Sequence, residues 1–138
     1  GYLIGREIGN GLKYRHFRLD RISRATLLPS SFQRDPAFDL HVHAARAFGS
    51  FHSEAEYGPV VWRFAASAAA VARNFIFHPD QQVQDEADGG LTVSFTAGGW
   101  LEMAWHLYQW GDAVEVILPP ELRELVNGHR RQDFPALP

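Results

Sequence analysis

Apolar residues between positions 59 and 130 recur at the period of strands in some segments and at the period of helices in others. In "VVWRFA" the side chains of Val60, Trp62 and Phe64 share one face, which predicts a half-buried strand. The Ala-rich stretch "AAAVARNFIF" predicts a helix capped by Ser67. "QQVQDEADGGLTVSFTA" predicts a hairpin, because an Asp-Gly-Gly turn separates its two arms. The second arm alternates between an apolar and a polar face: Leu91, Val93, Phe95 and Ala97 against Thr92, Ser94 and Thr96.

The segment "WLEMAWHLYQW" predicts a further helix, on which Glu102, His106 and Gln109 form a narrow solvated stripe. "AVEVIL" then predicts a strand, and "PPELRELVNG" a short final helix with Pro before it and Gly after it. The order β-α-β-β-α-β-α predicts an α+β fold, with a ferredoxin-like βαββαβ domain and a short C-terminal helix. Two helices would cover one face of the antiparallel sheet, and the other face, which carries Arg63, would stay open.

The first part of the chain predicts a hairpin about Asn10-Gly11, with strands from Tyr2 to Glu7 and from Leu12 to Ile22. "ATLL" would continue the second strand as far as Pro29. Alternation along that strand gives two sets: Arg15, Phe17, Leu19 and Arg21 on one face, and His16, Arg18, Asp20 and Ile22 on the other.

Turn-rich residues separate this hairpin from the regular second half. Asp35-Pro36 predicts the start of a helix through "AFDLHVHAARAFGSF" that ends at Gly49. The polar stretch "HSEAEYGP" predicts a linker. The predicted division of the chain is therefore a first domain over 1–52, a linker over 53–58, the ferredoxin-like domain over 59–130 and a tail over 131–138.

The composition narrows the class of protein. The chain has 138 residues, of which 46% are hydrophobic, and it has no cysteine. The hydrophobic content argues against a disordered chain. The lack of cysteine excludes disulfides, Cys-ligated zinc and a thiol nucleophile. No apolar run is long enough for a membrane helix. The formal charge of −3 combines a net +3 over the first 40 residues with −6 over the rest. An anionic partner would meet the basic part, unless these charges are ordinary solvated surface.

The hairpin sequence "GYLIGRE…GLKYRHFRLDRI" resembles the second half of a WYL domain, whose pattern is Trp-Tyr-Leu followed by Arg-x-Phe-Arg-Leu-Asp-Arg-Ile. Tyr2 and Leu3 match the tripeptide, although Gly1 stands in place of Trp. The whole second motif is matched: Arg15, Phe17, Arg18, Leu19, Asp20, Arg21 and Ile22. The segment "VVWRFAASAAAVARNFIFHPDQ…DGGLTVSFTAGG…WGDAVEVILPPELRE" is similar to the extension that follows WYL domains.

The resemblance implies a piece of a cytoplasmic bacterial transcription regulator. In that family a WYL domain, which is a small Sm-like β-barrel, senses a nucleotide, oligonucleotide or other anionic ligand, and the extension helps dimerisation. The hairpin would then be part of a partial Sm-like barrel. We therefore expect a homodimer that reaches duplex DNA only through an N-terminal DNA-binding domain outside this chain. The alternative is a ferredoxin-like homodimerisation module without a ligand site.

The candidate ligand site lies on the hairpin. Arginine binds phosphate through a planar fork of donors, and aromatic rings stack on bases. The predicted ligand-binding residues are Tyr2, Tyr14, Arg15, Arg18, Asp20 and Arg21. Arg15 and Arg21 point away from Arg18, so the three cannot line one flat face. Arg18 and Asp20 also have a structural interpretation, in which one side chain orients the other.

The other groups of polar residues, which include histidines, predict neither a metal site nor a catalytic site. His41 and His43 would diverge on a helix and have no third ligand nearby, so we expect no metal site. The stripe that includes His106 has the composition of a solvated helix face rather than an acid–base cluster. His78 is expected to orient the turn after a helix. Without a nucleophile–base pair we expect no enzyme and no cofactor.

Overall fold

A computed structural model describes residues 1–6, 13–49 and 53–128. The chain divides into two compact units, Gly1–Ala37 and Phe38–Pro138. The division therefore falls earlier in the chain than the predicted linker over 53–58. The predicted turn at Asn10-Gly11 and the predicted tail over 131–138 lie outside the described residues. Within the described part of the chain, no helix is long and apolar enough to cross a membrane.

The first unit contains a two-stranded antiparallel sheet of β1 (Tyr2–Arg6) and β2 (Tyr14–Arg18). The prediction that β2 extends to Ile22 is wrong, because Leu19–Arg21 coil into a 3-10 helix in which the Ile22 amide donates to the Leu19 carbonyl. Residues 25–28, predicted as a continuing strand, form no strand. The alternation predicted within the strand therefore holds as far as Arg18 and is lost after it.

The second unit has the predicted ferredoxin-like order of elements. After α1 (Leu40–Ala45) and a 3-10 turn at Glu54–Glu56 come the elements of the sheet and its helices: β3 (Gly58–Phe64), α2 (Ala66–Ala72), β4 (Gln82–Asp85), β5 (Leu91–Ala97), α3 (Trp100–Tyr108), β6 (Val114–Leu118) and α4 (Pro120–Asn127). The sheet order is β4-β5-β3-β6, and the paired strands run antiparallel. The predicted α+β class is confirmed.

The core of this unit lies between the sheet and its helices. The faces predicted to be apolar on β3 and β5 are buried, with Trp62 and Phe64 at 0% exposure. Trp110, which follows α3, packs edge-on against Phe64 with ring centroids 4.8 Å apart. Aromatic rings therefore contribute to the packing between the layers, together with Ala, Val, Leu and Met side chains.

Two predicted helix starts are wrong. The first helix begins at Leu40 because Asp39 caps it, accepting a hydrogen bond from the Val42 amide at 2.9 Å. The Asp35 carboxylate instead accepts the Ala37 amide at 3.0 Å, within a turn. Helix α2 begins after Ala65, which supplies no side-chain cap, and Ser67 lies inside its first turn.

The segment before β3 is tied to the ferredoxin-like sheet. Ala47 forms a parallel bridge with Gly98, in which the Phe48 amide donates to the Gly98 carbonyl at 2.9 Å. In the segment predicted as a linker, one Glu56 carboxylate oxygen accepts the amides of Gly99 at 3.0 Å and Trp100 at 2.9 Å. Glu56 therefore caps α3 from a distant part of the sequence. These contacts explain why the second unit begins well before the first strand of its sheet.

The prediction of a solvated stripe on α3 is wrong. Glu102, His106 and Gln109 are half-buried, whereas Trp105, on another side of the helix, is 68% exposed. The cause is the segment that precedes β3. The Phe48 ring lies 5.6 Å from the His106 ring and covers the polar side of the helix.

Candidate functional site

One face of the two-stranded sheet collects aromatic and cationic side chains. Tyr2 is paired with Arg18, and Arg6 with Tyr14, across the antiparallel strands. Directly opposed residues share a face, and the alternate residue His16 of β2 lies between these two pairs. We call these five residues, Tyr2, Arg6, Tyr14, His16 and Arg18, the aromatic–cationic face.

The rings and guanidinium groups of this face lie against one another. The Tyr2 and His16 rings are 6.3 Å apart and tilted by 59°. The Arg6 guanidinium carbon is 5.2 Å from the centre of the Tyr14 ring, a cation–π distance. Tyr2 is 46% exposed, so its ring is open to a stacking partner from outside. The face thus combines an accessible aromatic ring with fixed positive charge.

Arg18 and Asp20 form a two-pronged ion pair. The Arg18 Nε lies 3.0 Å from Asp20 Oδ1, and a terminal nitrogen lies 2.5 Å from Oδ2. The hydrogen bond from Arg18 lowers the pKa of Asp20, and the same contact raises the pKa of Arg18. Both side chains are exposed, so the pair contributes little stability and opens at little cost. Asp20 thus holds the guanidinium in place, as the structural interpretation of the sequence allowed.

Asp35 ties the end of the first unit to β2. The Tyr14 hydroxyl donates to Asp35 Oδ2 at 3.0 Å, and Arg6 lies 3.7 Å from the same oxygen. The pKa of Tyr14 is raised, first by partial desolvation and then by this hydrogen bond. The pKa of Asp35 is lowered, chiefly by the Ala37 amide and next by Tyr14. Arg6 and Asp35 were not predicted as site residues, because only the strand register and a contact across 21 positions bring them there.

Arg15 and Arg21 do not join the aromatic–cationic face. Arg15 lies on the opposite face of β2, where its guanidinium carbon is 5.4 Å from the centre of the Phe17 ring. Arg21 has left the strand, because it ends the 3-10 helix that follows. Of the six predicted residues, the structure thus brings Tyr2, Tyr14 and Arg18 together and joins Asp20 to them.

A His-Pro-Asp-Gln turn organises the junction of α2 and β4. His78 is buried; its Nε2 lies 2.7 Å from the Ala45 carbonyl, and its Nδ1 accepts the Asp80 amide at 3.1 Å. Because a carbonyl oxygen only accepts, Nε2 carries the hydrogen and donates a hydrogen bond to the Ala45 carbonyl. The Gln81 side chain accepts the amides of Phe77 and His78 at 2.7 and 3.2 Å. The prediction that His78 orients this turn is confirmed.

A groove of about 970 Å³ lies between α1 and the sheet of the second unit. Its guanidinium, that of Arg46, is already engaged by Glu54 at 2.7 Å and lies 4.1 Å from the centre of the Tyr57 ring. His43 packs on the Phe38 ring, 5.3 Å away, rather than beside His41. Within the described ranges, no three His, Cys, Asp or Glu residues gather as a metal site.

The matches to known proteins concern mainly the second unit. The sequence model of the WCX domain matches residues 56–130, which begin in the 3-10 turn before β3 and include α4. The chain belongs to the WCX domain family. WCX domains are C-terminal domains associated with WYL domains, and the stretch that resembles the extension of WYL domains lies within residues 56–130.

One solved structure is also similar to the chain. Proteasome accessory factor B/C (PafBC) of Arthrobacter aurescens aligns with 91% of the chain at 22% identity and a TM-score of 0.41. The chain spans 18% of the length of that protein. No curated protein sequence matches the chain at a significant level.

Proposed function

We propose that the chain is the effector-sensing and dimerising part of a WYL-type bacterial transcription regulator of the cytoplasm. The effector is an anion that carries an aromatic base, either a nucleotide or a single-stranded oligonucleotide. It binds the aromatic–cationic face of the first unit, and the WCX domain assembles two copies. The role assigned to the chain is binding rather than catalysis.

The observation that carries this proposal is the placement of Tyr2 opposite Arg18 on one face of the sheet. A base stacks on an exposed ring while a phosphate takes the guanidinium fork, and Arg18 already presents that fork to a carboxylate. Asp20 acts as an internal stand-in for the phosphate, and the effector displaces it. Because the Arg18–Asp20 pair is exposed, its loss costs little compared with a charge-assisted phosphate contact.

Effector binding would act on the regulator by a population shift. An effector that binds one arrangement of the two units more tightly than another favours that arrangement in proportion to the difference in affinity. In a dimer this changes the separation of two DNA-binding domains elsewhere in the protein, and half-site spacing on DNA follows that separation.

The test is a titration of the chain with a fluorescent single-stranded DNA oligonucleotide at 50 and 200 mM salt. Phosphate contacts release counterions, so we expect affinity to fall steeply with salt. Arg18→Ala is expected to weaken binding by roughly tenfold, in line with the loss of one charge-assisted contact. It should also make the salt dependence shallower.

Arg63→Ala is the matched control for Arg18→Ala. Arg63 is also an exposed strand arginine paired with an aspartate, at 2.5 Å from Asp88, but it lies in the WCX domain. We expect this variant to bind as the wild type does. Equal losses in both variants, or affinity that does not change with salt, would contradict the effector site.

The second candidate function is homodimerisation by the WCX domain without any effector. The observation in its favour is the exposed apolar side of α3, which includes Trp105 at 68% exposure. This candidate predicts a dimer that does not bind the oligonucleotide in the titration above.

A further inference from the structure

Helix α3 leaves three large side chains exposed to solvent. Leu101, Trp105 and Tyr108 are 51%, 68% and 51% exposed, at i, i+4 and i+7. This spacing puts them on one side of the helix. Together they leave roughly 350 Å² of side-chain surface open, given the 150–250 Å² that each large aromatic residue presents in full. This area is similar to that of the largest apolar patch on a typical monomer, and such patches are often functional.

The same patch contains an apolar hollow. A cavity of about 380 Å³ is lined by Leu101, Ala104, Trp105 and Tyr108 of α3 and by Leu125 of α4. We call these five residues the α3–α4 surface. A projecting indole ring thus lies beside a hollow built from uncharged side chains. In a twofold dimer the same surface of each copy meets the other, so the projecting ring of one copy can enter the hollow of its partner.

The charge of the surface also favours a second copy as its partner. Across a twofold axis the groups near the axis meet their own copies, so any charge there would face a like charge. All five residues of the α3–α4 surface are uncharged, although the chain has a formal charge of −3. Two copies together would bury roughly 700 Å² from these aromatic and aliphatic groups, which is about half of a standard interface and in the range of weak, transient complexes.

We propose that the α3–α4 surface is the dimer interface of this chain, formed by antiparallel packing of α3 from two copies. This inference rests on the dimerisation in the proposed function and adds the surface that performs it. In the antiparallel pair, Leu101 of each copy faces Tyr108 of the other. The small side chain of Ala104 near the axis lets the two helices approach, and each Trp105 enters the hollow of its partner.

The experiment is sedimentation velocity of the full chain over a range of concentrations. We expect a concentration-dependent dimer for the wild type. Trp105→Glu should raise the dimer dissociation constant by roughly tenfold or more, because a central tryptophan is a typical hot spot. Ile76→Glu is the matched control, since Ile76 is 83% exposed but lies outside the α3–α4 surface, and it should dimerise like the wild type.

Charge-pair rescue tests the antiparallel packing. Leu101→Lys and Tyr108→Glu should each weaken self-association, whereas an equimolar mixture should form a heterodimer that joins one Lys–Glu pair to one native Leu–Tyr pair. Circular dichroism of every variant checks the fold. Should Trp105→Glu fail to fold, Tyr108→Ser takes its place.

Three results would overturn the interface: a monomeric wild type, an undiminished dimer in Trp105→Glu, or no heterodimer in the mixture. These failures are separable from a failure of the proposed function. A monomer that still binds the oligonucleotide with salt-dependent affinity removes the interface and leaves the effector site. A dimer insensitive to Trp105→Glu moves dimerisation to another surface.

Discussion

His106 lies among aromatic rings inside the WCX domain. Its ring is 5.4 Å from that of Phe77, 5.6 Å from that of Phe48 and 6.4 Å from that of Trp62, onto which it stacks. Its Nε2 is buried and has no hydrogen-bond partner among the described residues, while Gln109 lies 3.5 Å from its Nδ1. Desolvation by these neighbours lowers the pKa of the imidazole, because a charged ring would lose its hydration.

The lowered pKa of His106 predicts a loss of stability at mildly acidic pH. Below the unfolded value of about 6.5 the unfolded chain takes up a proton that the folded chain still resists. The free energy of unfolding should therefore fall as the pH drops from 7.5 towards the folded pKa. The slope for this one proton cannot exceed about 1.4 kcal/mol per pH unit. Urea unfolding at a series of pH values measures it.

His106→Leu is expected to flatten this part of the pH profile. His41→Gln is the control, because His41 is exposed on α1, and the profile should stay as in the wild type. The pKa values of Asp20 and Asp35 are also lowered, but these carboxyl groups change the stability only below about pH 4. Their effect therefore does not overlap with that of His106. The same decline with pH in His106→Leu as in the wild type would show that another group causes it.

At the scale of elements, local signals predicted the order of strands and helices well. Asp88-Gly89-Gly90 marks its turn, and Pro120 and Gly128 bracket α4, so each of these signals is read within a few residues. The exposed side of α3 could not be predicted in this way. The polar side of that helix packs against Phe48, which lies more than 50 positions earlier in the chain.

The candidate site, like the order of elements, could be predicted from the sequence only in part. Alternation along β2 separates Arg15 from Arg18, as the structure has them. The end of β2 at Arg18 was not predicted, because the alternating pattern continues through Leu19–Arg21, which form a 3-10 helix. The two-pronged contact between Arg18 and Asp20 occurs at this turn. Arg6 was missed for another reason. Its place beside Tyr14 follows from strand register, which the turn length sets.

The segment before β3 approaches the start of α3 closely at Gly98, where a side chain would not fit. A Cβ on Gly98 would lie 2.8 Å from the Ser53 carbonyl oxygen, a backbone atom that cannot move aside cheaply. Gly98→Ala is therefore expected to destabilise the domain by about 1–3 kcal/mol in urea unfolding. In Gly58→Ala, the matched control, the new methyl group meets nothing within 4 Å.

We expect Gly58→Ala to change the free energy of unfolding by less than about 1 kcal/mol. Equal stability of the two alanine variants would mean that the close approach of Ser53 to Gly98 does not restrict this position.

At the scale of the whole molecule, the two units have different kinds of surface. The first unit presents the aromatic–cationic face on a sheet of two strands, and its apolar side chains remain largely exposed, with Leu3 at 52%. The WCX domain has the buried aromatic core and the uncharged α3–α4 surface. Under the proposal, the first unit recognises the effector and the second joins two copies. Regulation then requires that binding at one changes assembly or orientation at the other.

We propose above that an anionic effector with an aromatic base binds the aromatic–cationic face. Two-dimensional amide NMR of the chain, titrated with a short single-stranded DNA oligonucleotide, tests it residue by residue. We predict shifts concentrated in Tyr2–Arg6, Tyr14–Arg18 and Leu19–Arg21, and in Arg18→Ala these shifts should need roughly tenfold more oligonucleotide to reach saturation. Shifts confined to the WCX domain, or a spectrum unchanged at saturating oligonucleotide, would contradict it.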